Sequence, residues 1–243
     1  VSTCLVVIPT YNEKENINPL LEDILNQSVL FDVLIVDDNS PDGTAQLVKE
    51  KQQKYPGRIH LMEREKKSGL GPAYIAGFKY ALHANYLYIF EMDADFSHNP
   101  NDLVRLYETC AHDGYDLAIG SRYVSGVNVV NWPMSRVLIS FFASIYIQMV
   151  TSMPIRDATA GFKCYHRSVL QTIDLDRIRF IGYAFQIEMK FTAWMYDFKI
   201  KEVPIIFTNR TKGESKMSTR IFWEAFTGVI YIKIRSFFRK YNR

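Results

Sequence analysis

The strongest constraint on this chain is a series of apolar segments that each stop at a polar cluster. Cys4-Leu-Val-Val-Ile8 runs through Pro9 into Thr10-Tyr-Asn-Glu13, and Phe31-Asp-Val-Leu-Ile-Val36 runs into Asp37-Asp-Asn-Ser40. Runs that are apolar at consecutive positions belong to strands covered on both faces. A weaker third strand is read at Ile59-His-Leu-Met-Glu63, a fourth at Tyr86-Leu-Tyr-Ile-Phe90 and a fifth at Asp116-Leu-Ala-Ile-Gly-Ser-Arg122. Helices are expected between them. Asn12 caps one that runs to about residue 26, and another follows the Pro41-Asp-Gly43 turn over residues 44–55. A third carries Ala73, Ala76, Gly77 and Ala81 at packing spacing. Strand and helix alternating in this way predict right-handed βαβ units, hence an α/β fold with a mostly parallel central sheet flanked by helices. Such sheets bind ligands beyond the carboxyl ends of their strands. The polar clusters at residues 10–13, 37–40, 93–98 and 121–122 all fall at that edge. Neither Gly-x-Gly-x-x-Gly after the first strand nor Gly-x4-Gly-Lys-Ser/Thr occurs, which disfavours a dinucleotide fold and a P-loop.

The fourth strand leads into Glu91-Met-Asp-Ala-Asp-Phe-Ser-His-Asn-Pro100. Residues i and i+2 of an extended chain share a face, so Asp93 and Asp95 can address one small volume. Two anions so close call for a cation between them, and Mg²⁺ or Mn²⁺ with oxygen ligands keeps positions open for a diphosphate. The alternative is a solvated loop that starts a helix at Asn99-Pro100.

Length and composition fit one sizeable globular domain: 243 residues, 48% of them hydrophobic, can bury a core of good size. A net charge of +3 says little about partners, and no nucleic acid is expected. Its distribution says more, because residues 220–243 hold six basic side chains and one acid, Glu224, among Phe, Trp and Tyr. Cys4, Cys110 and Cys164 suit neither a disulfide framework nor a zinc site, which points to a reducing compartment. No secretory leader is read at residues 1–9, which lack a basic start. Residues 137–150 are apolar nearly all round. As a 14-residue helix they would span about 21 Å, short of the roughly 30 Å hydrocarbon core, so an interfacial or buried helix is expected. Residues 183–196 read as a helix, and residues 199–207 as a late strand in which Pro204 implies an edge position. The tail from Met217 reads as a basic-aromatic helix, carrying Phe222 and Trp223 early and Lys233, Arg235, Arg239 and Lys240 late.

Taken together the motifs resemble those of the polyprenol-phosphate glycosyltransferases of glycosyltransferase family 2, above all the dolichol-phosphate mannosyltransferases. The matching pieces are Val7-Ile-Pro-Thr-Tyr-Asn-Glu13, Val36-Asp-Asp-Asn-Ser-Pro-Asp-Gly-Thr44, Ser68-Gly-Leu-Gly71, Asp93-Ala-Asp-Phe-Ser-His98, Gly120-Ser-Arg122, Asp157-Ala-Thr-Ala-Gly-Phe-Lys163 and Arg210-Thr-Lys-Gly-Glu-Ser-Lys216. Each is weak alone, and their common order is specific. The resemblance implies a GT-A (Rossmann-like) catalytic domain over residues 1–218 and a membrane-interface helix over residues 219–243. It implies an inverting transfer of a sugar, mannose from GDP-mannose, to a polyprenyl or dolichyl phosphate. By position, Pro9, Tyr11, Glu13, Val36 and Asp38 would hold the nucleoside. Asp93, Ala94 and Asp95 would meet ribose, diphosphate and metal. Arg122, Arg210 and Lys216 would grip phosphates, and Arg136 and Ser140, with Arg122, the lipid phosphate. The family's usual metal-ligating Gln is here Ser97, whose hydroxyl can still ligate, and the common Asp-Asp-Gly-Ser is here Asp37-Asp-Asn-Ser40. The enzyme would sit peripherally on the cytoplasmic face of a membrane, alone or with a membrane-anchoring partner subunit.

The chemistry can also be argued from the residues. Breaking a sugar–diphosphate bond leaves negative charge on the leaving group, which Mg²⁺ and aimed cations stabilise. A phosphate acceptor, with a second pKa of about 6, is ionised near pH 7 and needs no strong general base. Asp157 either orients the acceptor or caps the turn it sits in. Arg122 and Arg210 either grip phosphate or form salt bridges. His98 and His166 are read as structural, and Asp37 as serving its turn rather than a ligand. Other readings are a family 2 enzyme that uses UDP-glucose or UDP-N-acetylglucosamine with a different acceptor, and a non-catalytic module that binds nucleotide sugars.

Overall fold

A computed structural model describes residues 2–209 and 219–241, with the side chains of residues 219–225 left aside. Strands β1 (Cys4–Thr10), β2 (Phe31–Asp37), β3 (Ile59–Glu63), β4 (Tyr88–Glu91) and β5 (Leu117–Ser121) alternate with helices α1 (Lys14–Leu25), α2 (Thr44–Lys54), α3 (Leu70–His83) and α4 (Asp102–Ala111). A short strand β6 (Val129–Val130) and a long helix α5 (Met134–Thr151) follow. Next come β7 (Lys163–His166), α6 (Arg167–Thr172), α7 (Tyr183–Met195), β8 (Ile200–Pro204), β9 (Phe207–Thr208) and α8 (Thr219–Ser236).

The main sheet has the order β3-β2-β1-β4-β7-β5-β8. Its strands are parallel except β7, which runs antiparallel to both β4 and β5. The consecutive apolar residues of β1 divide between the two faces, as a period of two requires. Leu5 and Val7 join α3, α6 and α7 in one core, while Val6 and Ile8 join α1, α2 and α4 in the other. Each such side chain contributes about 1.5–3 kcal/mol by leaving water. Gly77 lets α3 lie directly on β1, because a Cβ there would stand 2.3 Å from Val7 Cγ1. Pro204 ends β8 at the sheet edge, where a missing N–H costs no ladder bond.

Two local expectations change. Asn12 does not cap α1: its φ is 58°, Glu13 holds the cap position, and the Asn12 N–H is taken by Ser40 Oγ at 3.0 Å. The apolar helix expected over residues 137–150 extends to 18 residues as α5, about 27 Å long. Pro133 at its N-cap and Ser152 in the left-handed region at its C-cap set the ends. By length and composition α5 could cross a membrane, and only 17% of it is buried. Ser144, Ile147 and Thr151 form its buried stripe. The boundary expected between residues 218 and 219 falls at the end of the undescribed stretch. Beyond it α8 sends Val229 and Ile232 into the core that α7 also lines.

The reversed direction of β7 matters most for function. Parallel strands bring their C-terminal ends to one edge, and an antiparallel strand brings its N-terminal end there. The turn at residues 157–161, just before β7, therefore lies at the same edge as the ends of the parallel strands, between those of its neighbours β4 and β5.

Candidate functional site

At that edge a cavity of about 760 Å³ opens beside β4 and β5. Its polar end holds Asp93, His98, Arg122 and Thr159, and its walls are apolar, with Leu138, Ile139, Phe142 and Ile147 from α5 and Phe226 from α8. Arg136 and Ser140, one turn apart on α5, line it as well. Arg136 packs 4.0 Å from the Trp132 ring centroid and donates to Asn209 Oδ1 at 3.0 Å.

Arg122 and Asp157 form a buried, two-pronged ion pair. Nε donates to Oδ2 at 2.7 Å and Nη2 to Oδ1 at 2.6 Å, while the Arg122 backbone N–H reaches Oδ2 at 2.9 Å. Nη2 also donates to Thr159 Oγ1 at 2.8 Å. These contacts use three of the five guanidinium donors and leave the Nη1 pair for a ligand. Burial alone would raise the Asp157 pKa, yet the charge and hydrogen bonds of Arg122 outweigh it and hold the carboxyl below its usual range. In this structure the Asp157 carboxylate is fully buried and serves as the counter-ion that aims Arg122.

Asp93 is partly exposed and Asp95 buried. The turn between them and β4 is held in two places. Ser97 N–H donates to Asp95 Oδ1 at 3.0 Å, and Asp93 N–H donates to His98 Nδ1 at 3.2 Å. Phe96 takes a left-handed φ of 59°. Burial pushes the His98 pKa down to about 4, so the ring is neutral near pH 7 and the 3.9 Å approach to Asp93 is no salt bridge. The ring stacks on Phe162 with centroids 4.8 Å apart, while Phe207, placed by the β6–β9 pairing, meets it edge-on at 5.4 Å. His98 is structural, as expected, and His166 caps α6 by accepting from the Ser168 N–H.

Among the described residues no group of three or more His, Cys, Asp or Glu could hold a metal. Two carboxylates nevertheless fit an ion such as Mg²⁺, which takes one or two from protein and completes its shell with water and ligand phosphates. Ser97 is buried, its N–H tied to Asp95. Ala94 is buried between the two acids.

The residues expected to hold a nucleoside gather at the ends of β1 and β2. Asp37 serves its turn, accepting from Thr10 Oγ1 at 2.8 Å, Ser40 N–H at 2.8 Å and Ser40 Oγ at 2.6 Å. Asp38 faces Arg64 at 3.0 Å and accepts from Ser68 N–H at 3.3 Å; burial raises its pKa. Lys67 stands 4.1 Å over the Tyr11 ring. Glu13 Oε2 accepts from Asn16 Nδ2 at 2.9 Å, and Pro9 is partly exposed beside them. The Val36 side chain is fully buried in the core, because β2 is covered on both faces, so any contact of this residue with a nucleoside would be made by its backbone. Arg210 and Lys216 lie outside the described residues.

Sequence reasoning missed a buried polar network under the cavity floor. Lys163 pairs with Glu91 at 3.0 Å and bonds Gln186, Gln186 donates to Glu91 Oε2 at 2.8 Å, and Tyr165 donates to Glu91 Oε1 at 2.7 Å. Lys190, four residues beyond Gln186 on α7, donates to the Ala160 carbonyl at 2.7 Å. The polar residues Gln186, Glu188 and Lys190 within an aromatic-rich helix, with Gln186 and Lys190 at i, i+4 spacing, were the available signal.

Residues 5–174 match Glycosyl transferase family 2. The chain is 46% identical over 214 residues to the polyprenol monophosphomannose synthase of Mycolicibacterium smegmatis, covering 88% of this chain and 80% of that protein. It is 44% identical over 225 residues to the undecaprenyl-phosphate mannosyltransferase of Micrococcus luteus, covering 93% and 91%. The fold is similar to that of glucosyl-3-phosphoglycerate synthase from Mycobacterium tuberculosis, solved with Mn²⁺, UDP-glucose and phosphoglyceric acid. The TM-score is 0.68 at 14% identity, over 96% of this chain and 80% of that one, a likeness of GT-A fold alone. With the family match over most of its length and two relatives above 40% identity, this chain belongs to glycosyl transferase family 2.

Proposed function

We propose that this protein transfers mannose from GDP-mannose to a polyprenyl phosphate at the surface of a membrane. The observation that carries the reading is the two-ended cavity. Its polar end presents Asp93 and Arg122, and its walls, built by α5 with Phe226 of α8, are apolar enough for a prenyl chain. A donor with a small polar acceptor would have no use for such walls. The names of the mannosyl-transferring relatives support the sugar and the acceptor class.

In the reaction a phosphate oxygen attacks the anomeric carbon and the nucleoside diphosphate departs. The acceptor is already an anion and requires no base, which suits a site where Asp157 is committed to Arg122 and His98 is neutral. Arg122 offers its Nη1 donors to phosphate, and its rigid fork is fixed before the ligand arrives. Arg136 and Ser140 lie along the wall where a lipid phosphate would enter. Asp93 and Asp95, with the Ser97 hydroxyl, would hold Mg²⁺ or Mn²⁺, which supplies charge to the departing diphosphate. Tyr11, Glu13 and Asp38 would take the nucleoside.

Placement at the cytoplasmic face is supported by free, buried cysteines and by two helices with apolar outer surfaces. On α5, Met134, Phe142 and Met149 are exposed; Ile234 on α8 and Phe237 and Phe238 just after it are exposed beside Lys233 and Arg239.

The test is a panel of labelled GDP-mannose, UDP-glucose and UDP-N-acetylglucosamine with polyprenyl phosphate in detergent, with and without Mg²⁺. Transfer from GDP-mannose alone is expected; transfer only from a UDP-sugar would refute the donor. Purified protein should also float with anionic liposomes. Failure to float would mean that it is recruited by a membrane partner.

A further inference from the structure

Lys190 is fully buried, and its hydrogen bond goes to a peptide carbonyl, that of Ala160, rather than to a carboxylate. Burial, followed by the charge of Lys163, drives its pKa well down, and an uncharged amine would still donate the same bond. A buried lysine carries a desolvation cost that an apolar residue would avoid. Packing against α7 alone would be served by Met or Leu, so the position calls for another reason.

The geometry of one peptide supplies that reason. The peptide between Ala160 and Gly161 is trans, and in a trans peptide the C=O and N–H point in opposite directions. Lys190 draws the Ala160 carbonyl toward α7. The Gly161 N–H is thereby turned away from Lys190, and Ala160 and Gly161 both line the cavity. Among the described residues no hydrogen bond to an acceptor is found for the Gly161 N–H, and Gly161 is partly exposed at the cavity wall. Thr159, two residues earlier, fixes Nη2 of Arg122 at 2.8 Å, so the same short turn carries both the N–H and the support of the guanidinium.

We propose that the Gly161 amide is a further substrate-binding donor, taking a phosphate oxygen beside Arg122, and that Lys190 is the positioning residue that aims it. A fixed backbone donor needs no reorganisation when charge arrives, which is the property of oxyanion-type sites. The inference rests on the phosphate-acceptor reading above and extends it to one atom. The oxygen belongs either to the prenyl phosphate or to the donor diphosphate, and the chemistry of recognition is the same for both.

The experiment uses the full chain labelled with ¹⁵N-glycine, whose twelve glycines give a sparse amide spectrum. Gly161→Ala identifies the resonance by its loss. That variant keeps the fold, since a Cβ there meets nothing nearer than Gln186 Nε2 at 3.6 Å. Farnesyl phosphate and GDP with Mg²⁺ are titrated separately, with saturation followed by tryptophan fluorescence. The Gly161 proton should move downfield with farnesyl phosphate if the oxygen is the acceptor's, or with GDP if it is the donor's. In Lys190→Met the shift should vanish while the other glycine resonances stay in place, and KM for the corresponding substrate should rise about 10- to 100-fold, the loss of one hydrogen bond to a charged group. Lys190→Arg, which keeps a donor, should restore part of the shift. A Gly161 resonance that stays still under both saturating ligands overturns the proposal. A Lys190→Met protein with the full shift overturns the positioning role. Should Lys190→Met fail to fold, the wild-type titration still decides the amide. Wild-type enzyme that transfers mannose while Gly161 stays silent would sink this inference and leave the proposed function standing.

Discussion

Replacing Asp157 by Asn keeps the shape of the side chain and removes its charge. The carboxylate is fully buried and accepts three hydrogen bonds from Arg122, at 2.6, 2.7 and 2.9 Å. An amide there has one acceptor oxygen, and its NH₂ faces guanidinium donors, so Arg122 is left as a buried charge without a counter-ion. Removing one partner of such a pair costs about 3–5 kcal/mol. For a chain of this size each kcal/mol lowers Tm by roughly 2–4 °C, which predicts a fall of about 6–20 °C. Urea denaturation of Asp157→Asn against wild type measures the difference directly. Added salt should leave it unchanged, because a buried pair is little screened. The pH dependence has a definite sign. The folded-state pKa of Asp157 is lowered, so its contribution is complete above the unfolded value of about 3.9 and is lost as pH falls below that through the folded value. The gap between wild type and variant should be flat from about pH 5 to 8 and close only in acid. The double variant Arg122→Met with Asp157→Leu should recover most of the stability and none of the activity. A loss under about 1 kcal/mol for Asp157→Asn, or one that 1 M salt abolishes, would place the pair at a solvated surface and refute the reasoning.

Three further outcomes are expected. Asp95→Ala should abolish metal-dependent affinity for the nucleotide sugar, and calorimetry showing equal affinity in Mn²⁺ would remove Asp95 from the metal site. Gly77→Ala should destabilise by about 1–3 kcal/mol, since its Cβ would stand 2.3 Å from Val7 Cγ1 and α3 must lift from β1; an unchanged Tm would show that the helix can shift at no cost. Arg210→Ala and Lys216→Ala, in a stretch whose sequence suits a phosphate-gripping loop, should lower kcat with little change in Tm, and parallel losses in both would assign them to the fold.

The sheet was legible because the strands are covered on both faces: unbroken runs such as Val6, Val7 and Ile8 have no other arrangement that keeps them from water. The site edge followed from topology, since parallel strands must end together. The reversed β7 was less accessible. Lys163-Cys-Tyr-His166 has no pattern that tells parallel from antiparallel pairing, and its partners lie far away in sequence. That reversal brings Asp157, read as an acceptor-orienting residue or a turn cap, to Arg122, read as a phosphate grip or a salt bridge, and joins the two in one ion pair. Val36 keeps its side chain from any ligand for a related reason. A motif marks which residues are near a ligand, but in a strand with both faces buried only the residues past its end, such as Asp38, can turn a side chain toward one. The length of α5 escaped because Ser135 and Arg136 interrupt the apolar pattern just before residue 137; they are helical because Pro133 starts the first turn before the continuous apolar stretch begins.

The outward faces of α5 and α8 bear on how an acceptor would reach Arg122. A helix that buries one stripe ordinarily sets polar residues opposite it. On α5 the stripe of Ser144, Ile147 and Thr151 is buried, yet the residues turned away from it include Met149, at 78% exposure. Phe238, just past the end of α8, is 87% exposed. Tyr146 of α5 stacks on Phe226 of α8 with centroids 4.6 Å apart, so the two outer surfaces are neighbours. Adjacent apolar surfaces rarely remain in water on a monomer. Both helices also supply walls to the cavity, through Phe142 and Phe226 among others. In the proposed placement these facts have one cause: a prenyl chain anchored in the bilayer could pass along apolar wall all the way to the guanidinium, and its phosphate would be the first polar group to leave the membrane surface. Replacing Phe142 and Phe238 together by Ser should therefore weaken flotation with liposomes and raise KM for a long-chain prenyl phosphate more than for a short one. Equal effects on both chain lengths would mean that the outer surface serves packing alone.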